Sequence, residues 1–211
     1  MTQIDPQVEA AKASELEGFL RIKRLEAQLA LYRGYLHEVN NALAGIGTLA
    51  EMLKGAGDKG GSAKPSEKNL ELMVNATQRS ATLQRRIRAL YTDSDIAFDI
   101  EVSEFLEENK DLMELMLPHS QRLSFAIAPG VPVNACVHLE KLWEFVSLML
   151  LWYRETNVSR AQVVWTHQGS LRLQLNTEAL PKEDAAWREL LERVGHGVGG
   201  RVSISAKGID V

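Results

Sequence analysis

From Ile22 the apolar positions recur at Ile22, Leu25, Leu29, Tyr32, Leu36, Val39, Leu43 and Ile46. This alternation of three and four residues predicts a helix that offers a seam to a partner helix. The spacing persists through Leu49 and Leu53, and no proline interrupts residues 7–54. One helix is therefore predicted over that whole span, longer than globular helices usually run, which favours a coiled or bundled setting. Residues 55–65 gather Gly, Ser and Lys and predict a flexible connection. Ser66 and Glu67 then open a second periodic run at Leu70, Met73, Thr77, Ala81, Gln84, Ile87 and Tyr91, predicting a helix that ends near Asp93. Two helices with one apolar stripe each bury little by themselves. The hairpin is expected to dimerise into a four-helix bundle.

Beyond Asp95 the pattern becomes mixed. A short strand is predicted at residues 98–102. A helix follows at 103–117, with Ser103 as N-cap, Glu104 in its first turn and Pro118 at its end. Residues 123–127 alternate as a strand. Residues 138–153 are apolar nearly all round, which predicts a helix buried against a sheet. Residues 163–166 and 171–176 form a hairpin across His167-Gln168-Gly169-Ser170, a turn with a glycine available for positive φ. A helix at 185–194 and a strand at 201–206 complete the chain. The predicted class is α+β, with a helical hairpin domain over residues 7–95 and a sheet covered on one face by helices over residues 96–211.

The 211 residues, 45% of them hydrophobic, are enough for one or two modest packed domains. A net charge of -4 and a pI near 5.8 argue against nucleic acid as the main partner. The basic concentration at Arg79, Arg85, Arg86 and Arg88 reads as a solvated helix face. Cys136 is the single cysteine; it cannot form an internal disulfide, fits a reducing compartment and reads as core filler. The most hydrophobic run, residues 142–153, is interrupted by Glu144 and is too short to cross a bilayer, and the N-terminus has no basic-then-apolar signal. The protein is expected to be soluble and cytoplasmic, without a membrane partner. His119, His138, His167 and His196 lie in different elements without metal-ligand spacing. Trp143, Trp152, Trp165 and Trp187 read as packing anchors.

The candidate chemistry sits inside the first helix. With Ile22 at heptad position a, His37, Glu38 and Asn41 fall at the outward positions b, c and f. His37 and Asn41 are one turn apart on one face, and Glu38 is rotated by about 100° from the histidine. One patch thus combines a nucleophile, a base and an amide that orients water. Gly34, Ala44 and Gly45 occupy further outward positions, where longer polar residues would promote helix better than glycine does. They leave a flat surface on which another protein can rest.

The run His37-Glu38-Val39-Asn40-Asn41-Ala42-Leu43 resembles the phosphoacceptor box of two-component sensor histidine kinases. The hairpin resembles that family's dimerisation and histidine-phosphotransfer domain. Residues from about 98 onward resemble, in the order of their elements, its ATPase α/β sandwich. The second domain departs from the family where nucleotide is held. The helix that in the family supplies asparagines for Mg²⁺ and phosphates here reads Ser147-Leu148-Met149-Leu150-Leu151-Trp152-Tyr153, which offers no asparagine to a cation that needs oxygen ligands. The Asp-x-Gly-x-Gly box is replaced by Asn176-Thr177-Glu178-Ala179-Leu180, and the glycine-rich lid is absent. Val198-Gly199-Gly200-Arg201-Val202 resembles the turn into the lobe's last strand. Gly195, Gly197 and Gly200 match G-x-G-x-x-G only in letters, because a helix precedes them and a strand follows. The segment 55–62 misses a P-loop, since Gly60 is followed by Gly61.

The resemblance therefore implies a degenerate ATPase lobe that binds no nucleotide cofactor. A phosphoryl group would have to come from a partner, a response-regulator receiver domain, with Mg²⁺ supplied at that partner. It implies a homodimeric histidine phosphotransferase in which His37 is the nucleophile and Glu38 assists its ring. Free imidazole titrates near pH ~6.5, so a neutral nitrogen is available at neutral pH. A sensor kinase is a second candidate partner. Two alternatives stay open. One is a response-regulator phosphatase, because Glu38 and Asn41 match the family's Glu-x-x-Asn pattern. The other is a non-catalytic pseudokinase adaptor.

Overall fold

A computed structural model describes residues 6–58, 66–91, 98–127, 134–156, 158–165, 171–175, 185–198, 203–205 and 208–210. These divide into two compact units, one of residues 32–92 and the other of residues 1–31 with 93–211. The division runs through the first helix, α1 (Pro6–Asp58), rather than at residue 95. A helix of 53 residues is about 80 Å long, enough for its two halves to pack on different partners. It also continues four residues past Lys54, into the segment read as connection.

In the unit of residues 32–92, α1 pairs with α2 (Glu67–Leu90). Ser66 is the N-cap of α2, its hydroxyl accepting from the Asn69 N–H at 3.2 Å, with Glu67 in the first turn and Arg88 in the last, both favourable to the helix dipole. The faces that pack differ from those expected. On α1 the half-buried positions are Tyr35, Glu38, Val39, Ala42, Ile46, Leu49 and Leu53, whereas Leu36 is 40% and Leu43 60% exposed. On α2 the covered positions are Asn69, Met73, Ala76, Ser80, Leu83, Ile87 and Leu90, while Leu70, Thr77, Ala81, Gln84 and Tyr91 face outward. Val39, Ile46, Leu49 and Leu53 on α1 and Met73 and Ile87 on α2 belong to the expected stripes, and the remaining covered positions shift the packed face to one side of them. Small residues, Ala42, Ala76 and Ser80, alternate with larger ones on the covered faces, so the seam is not a continuous row of leucines.

The other unit contains a five-stranded sheet in the order β2-β4-β5-β7-β6, built from β2 (Arg122–Ile127), β4 (Arg160–Trp165), β5 (Leu171–Leu175), β6 (Ser203–Ser205) and β7 (Gly208–Asp210). Only β2 and β4 run parallel; the other pairs are antiparallel. The expected hairpin is present as β4–β5, in the register Ala161↔Leu175, Val163↔Leu173 and Trp165↔Leu171. Ala161, Val163, Leu171, Leu173 and Leu175 are buried, so one face of this ladder faces the core. Its turn, residues 166–170, lies outside the described residues. A separate ribbon joins β1 (Phe98–Glu101) to β3 (Asn134–Val137). Neither β3 nor β7 was expected from the sequence. The Cys136 side chain falls outside what is described.

The helix expected at 103–117 starts one residue earlier and is broken. α3 (Val102–Glu108) has Glu101 at its N-cap position, and Ser103 instead donates its hydroxyl to Glu101 Oε1 at 2.6 Å. At Asn109 the side-chain amide donates to the Phe105 carbonyl at 2.8 Å, which ends α3 before α4 (Lys110–Leu115) begins. The buried helix is α5 (Leu139–Glu155), with Leu142, Trp143 and every residue from Phe145 to Tyr153 in the core. Gln121 ties its C-terminus to the sheet, donating to the carbonyls of Tyr153, Thr156 and Val158 at 3.0–3.1 Å. Burial raises the Tyr153 phenol above its usual pKa, and its hydroxyl donates to the Arg122 carbonyl at 3.1 Å. α6 (Ala185–Gly197) buries Trp187, Leu190, Leu191 and Val194. Trp143, Trp152 and Trp187 are thus packing anchors, as expected.

The N-terminal half of α1 belongs to this unit because its opposite face is apolar. Leu20, Ala27, Ala30 and Leu31 are buried, whereas Ile22, Leu25 and Leu29 are each more than half exposed. Phe19 meets Trp187 edge to face at 5.8 Å, and Arg193 pairs with Glu17 at 2.6 Å. Lys23 lies over the Trp187 ring, 4.9 Å from its centroid, and pairs with Glu155 at 2.6 Å and Glu26 at 2.9 Å. Glu155 also accepts from Trp187 Nε1 at 2.8 Å, and Arg24 pairs with Glu144. Burial alone would lower the Lys23 pKa, but hydrogen bonds and charge from Glu155 and Glu26 outweigh it and raise the ammonium above 10.5. A raised lysine pKa means stability that is present below the unfolded value and lost as pH climbs through the folded one. Between pH 9 and 12 the wild-type Tm should therefore fall more steeply than that of Lys23→Gln. Parallel curves in a thermal melt series would refute this role.

Candidate functional site

His37, Glu38 and Asn41 lie on α1 within the unit of residues 32–92. His37 and Asn41 are exposed, four residues apart and so on one face of the helix. Glu38 departs from the outward placement read from the heptad. Because the packed face of α1 includes Tyr35, Val39 and Ala42, position 38 lies at the border of the seam and its side chain is only 27% exposed. It points toward α2, where Arg79 Nη2 lies 3.2 Å from Glu38 Oε2.

The site thus contains a residue that the sequence reading placed in a solvated basic face. Nothing in the order of residues aligns α1 with α2 across the hairpin, so no sequence signal could pair position 79 with position 38. Arg79 follows from the α2 register: Ala76, Ser80 and Leu83 face α1, and position 79 sits beside that row with its side chain 67% exposed. Of the other basic residues in the cluster, Arg85 donates to the Thr82 hydroxyl at 3.3 Å.

Chemically, the arrangement offers an accessible imidazole, a carboxylate paired with a guanidinium, and an amide that can both donate and accept. Near it, Gly45 and Gly47 face open space, since a Cβ added to either meets nothing within 4 Å. Each costs the helix roughly 1 kcal/mol relative to alanine, and no packing within the chain demands it.

The segment 147–153 of α5, where the family resemblance would place metal and phosphate ligands, is buried at every position. Residues 176–180 and 199–202, which carry the other departures, lie outside the described residues. Gly195 and Gly197 belong to the end of α6, so a helix does precede that glycine pattern. Among the described residues no group of three or more His, Cys, Asp or Glu side chains is placed to hold a metal ion. Among them, too, no helix is long and apolar enough to cross a membrane.

No family model matches the chain, and no curated protein matches it in sequence. Several solved structures are similar, two of them as follows. One is a bacterial phosphotransferase, 12% identical, with 88% of this chain and 94% of that chain covered and a TM-score of 0.43. The other is a histidine kinase from Burkholderia phymatum STM815, 14% identical, with 91% and 95% covered and a TM-score of 0.39.

Proposed function

We propose that this protein is a two-component phosphotransfer protein in which His37 exchanges phosphoryl groups with a response-regulator receiver domain, without binding ATP. The observation that carries the reading is the exposed imidazole of His37 on α1, followed in the chain by Glu38, whose carboxylate pairs with Arg79. In the transfer, a lone pair on one ring nitrogen attacks phosphorus. The P–O bond to the receiver's aspartyl group breaks, and the carboxylate leaves with its electron pair. The proton on the other ring nitrogen is shared with Glu38, which raises the nucleophilicity of the ring as the N–P bond forms. Mg²⁺ in this reading belongs to the receiver.

The absence of ATP chemistry rests on α5. Residues 148–152 supply leucine, methionine and tryptophan side chains packed in the core, and the hydroxyls of Ser147 and Tyr153 are engaged with the carbonyls of Glu144 and Arg122, so the segment offers a cation no carboxamide or carboxylate. The α/β unit is accordingly read as a degenerate ATPase lobe. Dimerisation into a four-helix bundle is supported by the apolar side chains that one chain leaves exposed on α1, Ile22, Leu25, Leu29, Tyr32, Leu36 and Leu43. Gly45 and Gly47 provide low relief beside the site for a docking partner.

Asn41 supports a second outcome at the same surface. It shares the His37 face and is exposed, so it can orient a water against the aspartyl phosphate and make the protein a receiver phosphatase. The test is incubation with receiver domains of the source organism, each phosphorylated by acetyl phosphate. Label moving to the protein is expected. Release of free phosphate supports hydrolysis instead, and an unchanged receiver supports an adaptor role. ATP titration should show no binding; a millimolar or tighter affinity contradicts the reading of the α/β unit.

A further inference from the structure

Arg79 has no evident structural duty. Its side chain is two-thirds exposed, it pairs with Glu38, and exposed pairs of this kind contribute little to stability. Its effect is geometric and electrostatic. A glutamate at the edge of a helix seam samples several rotamers, and a positive charge across the hairpin favours those that bring the carboxylate toward it. An unpaired carboxylate beside the nucleophile would also repel an incoming phosphoryl group, and the arginine cancels that charge.

We propose that Arg79 is a positioning residue of the His37 site, acting through Glu38. Its backbone is fixed by the rows that face α1, Ala76, Ser80 and Leu83, so the pair spans the two helices of the hairpin. Held this way, Glu38 receives the proton shared by the second ring nitrogen along one direction while the first nitrogen takes the phosphoryl group. The guanidinium neither forms nor breaks a bond in that step. This rests on the reading of His37 as the phosphoryl acceptor.

The test uses the full chain and receiver domains phosphorylated by acetyl phosphate, with phosphoryl loss from the receiver followed at saturating and at low receiver concentration. Arg79→Gln should lower the saturated rate about ten-fold, the scale of a misplaced catalytic group, while half-saturation changes less than about two-fold. Arg79→Lys keeps the charge and should recover most of the rate. In a Glu38→Gln background, Arg79→Gln should add nothing, since the residue it acts through is already gone. The Tm should move by less than about 3 °C.

A rate that Arg79→Gln leaves unchanged overturns the proposal. So does a loss that adds fully to that of Glu38→Gln, or a change confined to half-saturation, which would make Arg79 a docking contact. If wild-type protein neither accepts nor releases phosphate from any receiver, the reading of His37 fails and this proposal falls with it. An active wild type with indifferent Arg79 variants defeats the positioning role alone.

Discussion

His37→Ala is expected to abolish labelling from a phosphorylated receiver, a loss of at least about 10³-fold, because alanine offers no atom to which phosphorus can bond. Folding should be untouched. Position 37 is exposed on a helix, alanine is the better helix former, and a surface change of this kind shifts stability by no more than about 0.5 kcal/mol. Unaltered labelling of the variant would refute the assignment of His37. The same variant separates the two enzymatic outcomes. If hydrolysis is the activity, His37→Ala should retain phosphate release and Asn41→Ala should lose it, since the amide rather than the imidazole then orients the attacking water.

Leu36→Asp is expected to convert dimers to monomers while leaving the chain folded. Within one chain Leu36 is 40% exposed and lies off the face that packs on α2, so an aspartate there meets water in the monomer. In a bundle the same position would be covered. Covering the exposed part of Leu36 is worth roughly 1 kcal/mol, covering an aspartate there costs at least about 1 kcal/mol more, and a two-fold dimer contains the site twice, so association should weaken by about 10³-fold. Leu83→Ala supplies the contrast: Leu83 is 2% exposed at the centre of the α2 seam, and its loss should lower the stability of the hairpin itself by roughly 2–5 kcal/mol. Sedimentation and thermal melts distinguish the two effects. A Leu36→Asp protein that stays fully dimeric contradicts the proposed use of the exposed stripe.

The helices were legible because their periodicity is long and repeated. α5 was readable from its near-continuous apolar run, α6 from its spacing and α2 from the Ser66-Glu67 start. The rotation of the packed faces was not legible. Tyr35 and Ala42 compete with the more conspicuous Leu36 and Leu43, and alanine carries almost no signal even where it is covered. The same weakness hid the role of residues 19–31, where Leu20, Ala27 and Leu31 are buried beneath a stronger-looking row of exposed Ile22, Leu25 and Leu29. β7 has only three residues and β3 four, too short for alternation to register, and both exist because a neighbouring strand pairs with them. Ser103 has the composition of a cap, but Val102 is buried and draws the helix start one residue earlier.

Of the site, His37 and Asn41 were readable because helical spacing alone fixes their common face. Glu38 was misplaced by one seam's width, and Arg79 was invisible, since both depend on how α1 lies against α2. The ion pair that joins them is therefore a tertiary fact, reached only through the hairpin.

The most direct measurement of the central claim is the chemical identity of the phosphorylated residue. After incubation with a phosphorylated receiver, the protein should hold an acid-labile, base-stable phosphoryl group, and peptide mapping should place it on the imidazole of His37. A phosphoryl group found on another residue, or one retained in full by His37→Ala, would contradict the account.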